Sequence, residues 1–329
     1  MREPDLHVEG PSPRVGRRFS EVISAIDRLP LPGQGDTWER FEILASLGEE
    51  DLSLARLGEG HADALAILQE SGRGNRYSGQ GYGVWAARTG SRGLTAEPVP
   101  GGWRLTGTKP FCSGYGLLDR ALVTAQAPDG YRLFDIAIAS VVVDTVPDSW
   151  PAIGMADSLS ETLTFGGAVI SENDAIGAPE FYTRRQGFWF GSSGVAACWY
   201  GGARGLVAGV VDSFGRDPGD IVLMEIGKAV SELQSMHDAL RSVAEVIDGD
   251  PEDKRGEAEK RALTVRQIVH DACVEVLRHT ASAGGARPLC HDRVQARRAA
   301  DLYVYLAQHH GGPDAARLGR LVIGDRKWT

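Results

Sequence analysis

The 329-residue chain is predicted to adopt an α+β fold, helical at both ends and strand-rich in the middle. Three observations carry this expectation. Apolar residues recur at spacings of three between about residues 20 and 72, and long helical runs return over 180–248 and 251–320. Short apolar segments separated by glycine and proline turns fill residues 84–177. Helices and strands are therefore segregated along the chain, which argues against alternating βαβ units.

Taken in order, Phe41, Leu44 and Leu47, then Leu54 and Leu57, then Leu65 and Leu68 mark the first helical block. Asp51 or Ser53 suits an N-cap, because either side chain can accept from free backbone amides, and His61 is expected to face solvent. The glycine-rich stretch 71–83 ends this block. It lacks the GxxxxGKS/T pattern of a P-loop and leads into strand rather than helix, so it does not read as a phosphate cradle. Strands are predicted at 84–87, 103–106, 120–126, 134–143 and 162–170. The second helical block is interrupted at 215–219 and the third at Gly284 and Gly285. The resulting segments are 1–78, 79–178 and 179–329.

Composition narrows the function classes. Hydrophobic residues make up 42% and charged residues 24%, as in an ordinary globular protein. A net charge of -9 supplies no basic face for nucleic acid. The charged N-terminus and the lack of a run near 18 apolar residues argue against a secretory leader or a membrane span, so a cytoplasmic location is expected. Four scattered cysteines, Cys112, Cys198, Cys273 and Cys290, form no CxxC pair and predict neither a zinc site nor a disulfide framework.

The most informative stretch is 101–114. Gly101 and Gly102 turn the chain, Trp103, Leu105 and Phe111 supply large side chains to a sheet, and Gly107 with Pro110 bends it. The aromatic Phe111 could pack beside a flat ring, and the hydroxyl of Ser113, two residues on, could bond its rim from the same strand face. The alternative is a core Phe111 and a turn-forming Ser113.

This run, Gly-Trp-Arg-Leu-Thr-Gly-Thr-Lys-Pro-Phe-Cys-Ser, resembles the central sheet of the acyl-CoA dehydrogenase-like flavoproteins. Four further segments match in order: residues 47–72, the 83–91 strand with Gly90 and Ser91, the Leu163 to Gly177 strand and loop, and Gly284 to Asp301. The resemblance implies an N-terminal helical domain, a middle β-barrel and a C-terminal four-helix bundle. It implies that Phe111, Cys112 and Ser113 line a flavin and that Ser91 meets its pyrophosphate. Gly284 and Gly285 would meet the flavin of a neighbouring subunit, followed by an Arg-Asp pair from Arg297 or Arg298 with Asp301. A homodimer or homotetramer follows. FAD is the implied cofactor. Val211 replaces the family's phosphate-reaching arginine, which leaves FMN or no flavin as alternatives and Arg204 or Arg216 as substitutes.

The implied substrate is a small molecule, an acyl-CoA or related carbonyl compound. The family's catalytic glutamate is missing: neither 302–313 nor 187–204 holds a carboxylate. His309 and His310 fall beside the vacant position, and histidine works as a base near its usual pKa of about 6.5. The same pair also suits a polar helix end. Some flavin monooxygenases of this family carry a histidine in this region. The leading expectation is a flavin-dependent dehydrogenase, the second such a monooxygenase, and the third a non-catalytic scaffold.

Overall fold

A computed structural model describes residues 13–74, 79–88, 93–215 and 218–325. Its first helices are α1 (Pro13–Ile26), α2 (Thr37–Glu50) and α3 (Leu52–Glu70). Asp51 starts α3, its carboxylate accepting from the amides of Ser53 (2.9 Å) and Leu54 (3.1 Å). Leucine and alanine are spread around α3 rather than confined to one face, and nearly all of it is buried. His61 is part of that burial. It is 0% exposed, so the expected solvent-facing position is incorrect. Its Nδ1 accepts from the Tyr82 amide (3.2 Å), which leaves Nε2–H to donate to Asp27 (3.0 Å).

The strands are β1 (Tyr82–Trp85), β2 (Thr95–Val99), β3 (Gly102–Cys112), β4 (Arg120–Ala127), β5 (Gly130–Ala137), β6 (Val143–Thr145), β7 (Glu161–Ser171) and β8 (Ala175–Ile176). Sequence patterning overlaps β1, β3, β4 and β7 singly, joins β5 to the start of β6 in one segment, and misses β2 and β8. The turn at Gly101, with φ 80°, closes the β2–β3 hairpin, and Gly130, with φ 129°, closes β4–β5.

The ladder runs β6-β7-β3-β2-β4-β5-β8, with β1 also on β4. One edge of β4 is shared end to end, β1 pairing along Arg120 to Val123 and β2 reaching only Gln126. The three-residue β6 and the two-residue β8 are left as edges. The sheet is therefore open, and the closed β-barrel expectation is corrected to a mixed eight-stranded sheet.

The remaining helices are α4 (Phe181–Arg184), α5 (Gly187–Asp212), α6 (Asp220–Gly249), α7 (Ala258–Gly284), α8 (Ala286–His291), α9 (Arg293–Leu306) and α10 (Gly312–Asp325). The long helices α5, α6 and α7 pack on one another, and the shorter α9 lies on α5. The expected C-terminal four-helix bundle is changed by α2, which packs against both α5 and α6.

Glycine permits that intrusion. A Cβ on Gly201 would lie 1.9 Å from the Ala45 carbonyl oxygen, and one on Gly48 would lie 2.4 Å from that of Cys198. The start of α2 is tied to the end of α6, Thr37 donating from N (2.9 Å) and Oγ1 (2.5 Å) to Asp248. Contrary to the sequence expectation, α5 is long and apolar enough to cross a membrane, but 72% of its most apolar window is buried against other helices.

Candidate functional site

The site is built from the end of β3 outward. The β3–β7 register shifts between Lys109 and Cys112, and Phe111 sits there with φ 57°, in the left-handed region that a bulky residue rarely adopts. This breaks the strand alternation. Phe111 and Ser113 do not share a face as period two would predict: Phe111 is 58% exposed, whereas Ser113 is buried. The Phe111 ring meets solvent beside Trp150, edge to face at 6.5 Å.

Cys112 points into the core, and burial raises its thiol pKa. Ser113 begins a hydroxyl chain to Ser160 (2.7 Å), Ser158 (2.9 Å) and the Met155 carbonyl (2.7 Å). Because Ser158 spends its hydrogen on that carbonyl, each earlier hydroxyl donates down the chain, and Ser113 Oγ keeps its lone pairs. Lys109 clamps β3 from below, donating to the Ala87 carbonyl (2.9 Å), the Thr124 carbonyl (2.6 Å) and Thr124 Oγ1 (2.8 Å). Burial lowers its pKa to about 8.

Ser113 lines a crevice, with no room for water, that also includes Arg56, Gly83 and Val84. Arg56 and Val84 continue into an adjoining cavity of about 370 Å³ between α3, α5, α7 and the C-terminal segment. His310 stands on its wall. Shared lining residues thus connect Ser113 at one end with His310 at the other.

His309 turns away from the cavity. Its Nε2 meets Gln267 (2.9 Å), and its ring lies 4.6 Å from that of His270. Burial first, then His270 and Arg266, push its pKa down. Asp314 Oδ2 is 3.8 Å from Nδ1 of both His309 and His310.

Ion pairs stiffen the cavity. Arg56 holds Glu59 (2.6 Å), and Arg185 holds Asp63 (2.8 Å) and Glu70 (3.1 Å). Burial still raises the Glu59 pKa against the opposing pull of Arg56. Arg317 pairs with Glu259. Arg266 donates to the carbonyls of Ser192 (3.0 Å) and Gln308 (3.4 Å) and lies 4.7 Å over the Trp199 ring. Sequence reading missed these four arginines. The available signal was charge inside an apolar helix, Arg56 and Glu59 standing three apart on α3.

The other expected residues lie elsewhere. Ser91 and Arg216 fall outside the described residues. Gly284 and Gly285 end α7, the Gly285 amide donating to Ala281 (2.9 Å), and Gly285 lines a separate cleft of about 240 Å³ with Pro288 and Tyr303. Neither glycine lines the cavity that His310 lines. Arg204 is engaged by Glu42 (3.4 Å) and Glu49. Arg297 does pair with Asp301 (3.3 Å), and also with Asp51 (3.2 Å) and Asp157 (2.6 Å), tying α9 to the start of α3.

No protein-family model matches the chain. A dibenzothiophene monooxygenase of Mycolicibacterium goodii is 23% identical over 325 residues, covering 83% of this chain and 78% of that protein. The solved dibenzothiophene monooxygenase TdsC of Paenibacillus sp. A11-2 is 19% identical, with TM-score 0.75 and 96% of each chain covered. The HsaA monooxygenase of M. tuberculosis is 16% identical, with TM-score 0.73, covering 94% of this chain and 97% of that one. TdsC has also been solved with FMN and with indole bound. These likenesses show that the chain shares the fold of these proteins.

Proposed function

We propose that this chain is a flavin-dependent monooxygenase acting on a small molecule held in the 370 Å³ cavity. The observation that carries the reading is that two of the three carboxylates on the cavity wall are held by arginines and the third, Asp314, faces histidine. Dehydrogenation beside a thioester needs a carboxylate free to take a proton from Cα. Glu59 and Asp63 are bound to Arg56 and Arg185, while Asp314, 3.8 Å from His310 Nδ1, is placed to pair with that imidazole once it is protonated, so the wall offers His310 as the proton carrier. The long, shared fold with monooxygenases supports the same choice over the dehydrogenase expectation.

The exposed Phe111 ring, with Trp150 at its edge, fits a planar flavin because the sheet leaves that aromatic surface open. Flavin in its reduced form supplies the electrons with which dioxygen gives one oxygen atom to the substrate and releases the other as water. FMN and FAD are both accommodated by this reading, since relatives of the fold have been solved with each. The protein's own share is positional. Phe111 packs on the ring, Phe188 and Trp189 hold apolar substrate, and His310 moves protons at the cavity wall. Arg56 and Arg185, fixed by their carboxylates, keep the cavity shape.

A homo-oligomer belongs to the same reading. The exposed Leu289 and Tyr303 line the Gly285 cleft and offer an apolar surface to a second copy.

The test is oxygen uptake by purified protein supplied with reduced FMN, measured with indole, dibenzothiophene and other aromatic compounds. Substrate-dependent uptake supports the proposal. Anaerobic bleaching of bound oxidised flavin by butyryl-CoA, without such uptake, restores the dehydrogenase reading.

A further inference from the structure

Four arginines line the 370 Å³ cavity, and they are not equivalent. Arg56, Arg185 and Arg317 each contact a carboxylate. Among the described residues Arg266 contacts none. It is only 8% exposed, and its partners are two backbone carbonyls and the face of Trp199. Those groups offer partial negative charge and occupy two N–H donors of the five a guanidinium carries.

Asp314 and Glu59 attract the Arg266 charge, but neither comes close enough to form an ion pair with it. Glu59 is bonded to Arg56, and Asp314 lies against His309 and His310. A buried guanidinium is costly unless an anion meets it, and here the unmet charge borders a cavity large enough for a ligand. The rest of the wall is suited to a flat apolar body, being built of Phe188, Trp189, Val195 and Leu263.

We infer that the ligand of this cavity is an organic oxyanion, a carboxylate or phenolate on an aromatic body, whose charged end pairs with Arg266. The inference rests on the proposed small-molecule site, but binding alone tests it. Charge-assisted pairing with arginine is stronger than a neutral hydrogen bond, so the acid outcompetes its neutral isostere.

The experiment titrates naphthoate and naphthamide into the purified full-length protein, with and without saturating FMN, by calorimetry. Naphthoate is expected to bind about 10-fold or more tightly than naphthamide, a preference lost in Arg266→Gln and partly kept in Arg266→Lys. Naphthamide affinity should stay within about 2-fold in all three proteins. Equal affinities in the unmodified protein, or no binding of naphthoate, overturn the inference even if Arg266→Gln fails to fold. So does FMN that displaces naphthoate but not naphthamide, because the anion met by Arg266 would then be the cofactor's. A naphthoate preference in a protein that binds no flavin leaves the inference standing and removes the monooxygenase proposal.

Discussion

Replacing Phe111 with glycine separates a residue held for ligand binding from one held for packing. At φ 57° a bulky side chain costs roughly 1–2 kcal/mol of backbone strain, which glycine relieves. Against that stand the greater freedom of glycine in the unfolded chain, about 0.5–1 kcal/mol, and the lost edge contact with Trp150, about 0.5 kcal/mol. The net change in stability should lie within about 1 kcal/mol of zero, whereas truncating a buried phenylalanine costs about 3–5 kcal/mol. Flavin affinity should respond differently. With 58% of the residue exposed, covering it removes on the order of 120 Å² from water, a ceiling of about 3 kcal/mol. A ring laid on one face recovers roughly half, so Phe111→Gly should weaken FMN about 10-fold. Urea unfolding and FMN fluorescence titration measure the two quantities. A loss of about 3 kcal/mol or more in stability with unchanged FMN affinity would refute the reasoning and return Phe111 to the core.

Gly201→Ala should destabilise by about 1–3 kcal/mol because its Cβ would strike the Ala45 carbonyl, while Gly227→Ala, with nothing within 4 Å on α6, should gain about 0.5–1 kcal/mol; paired urea melts check the opposite signs. Arg185→Met strands the buried Asp63 and frees the more exposed Glu70, and should cost about 3 kcal/mol, read by thermal or chemical unfolding. Burial holds the His61 pKa below 6.5, so as pH falls the unfolded chain takes up this proton first. Its contribution is therefore intact above about pH 7 and declines as pH drops from 6.5 toward the folded pKa, and His61→Gln should flatten that part of a stability–pH profile.

Much of the framework could be read from local patterns. The spacing of Leu44, Leu47, Leu54 and Leu57 reports helices because each buries one side against a neighbour. The motif around Lys109 and Phe111 placed the flavin candidate on a strand, and β3 is that strand. What escaped depended on contacts distant in sequence. His61 is fixed by Asp27 and by the Tyr82 amide, 34 and 21 residues away, and nothing beside it in the chain announces either partner. The exposure of Phe111 arises from a register slip against β7, a property of the pair rather than of one strand. The open sheet follows from β1 and β2 sharing one edge of β4, and the intrusion of α2 beside α5 follows from glycines whose significance appears only when the helices touch. Arg266 joins the cavity wall through carbonyls at Ser192 and Gln308, on two other segments.

The central claim is that oxygen transfer, not hydrogen removal, occurs at this cavity. A single turnover of FMN-loaded, pre-reduced protein with isotopically labelled dioxygen, in the presence of indole or an aromatic acid that binds, tests it most directly by mass spectrometry of the product. The account predicts one labelled oxygen atom in the organic product. An unlabelled product, formed equally well under argon with oxidised flavin, would contradict it.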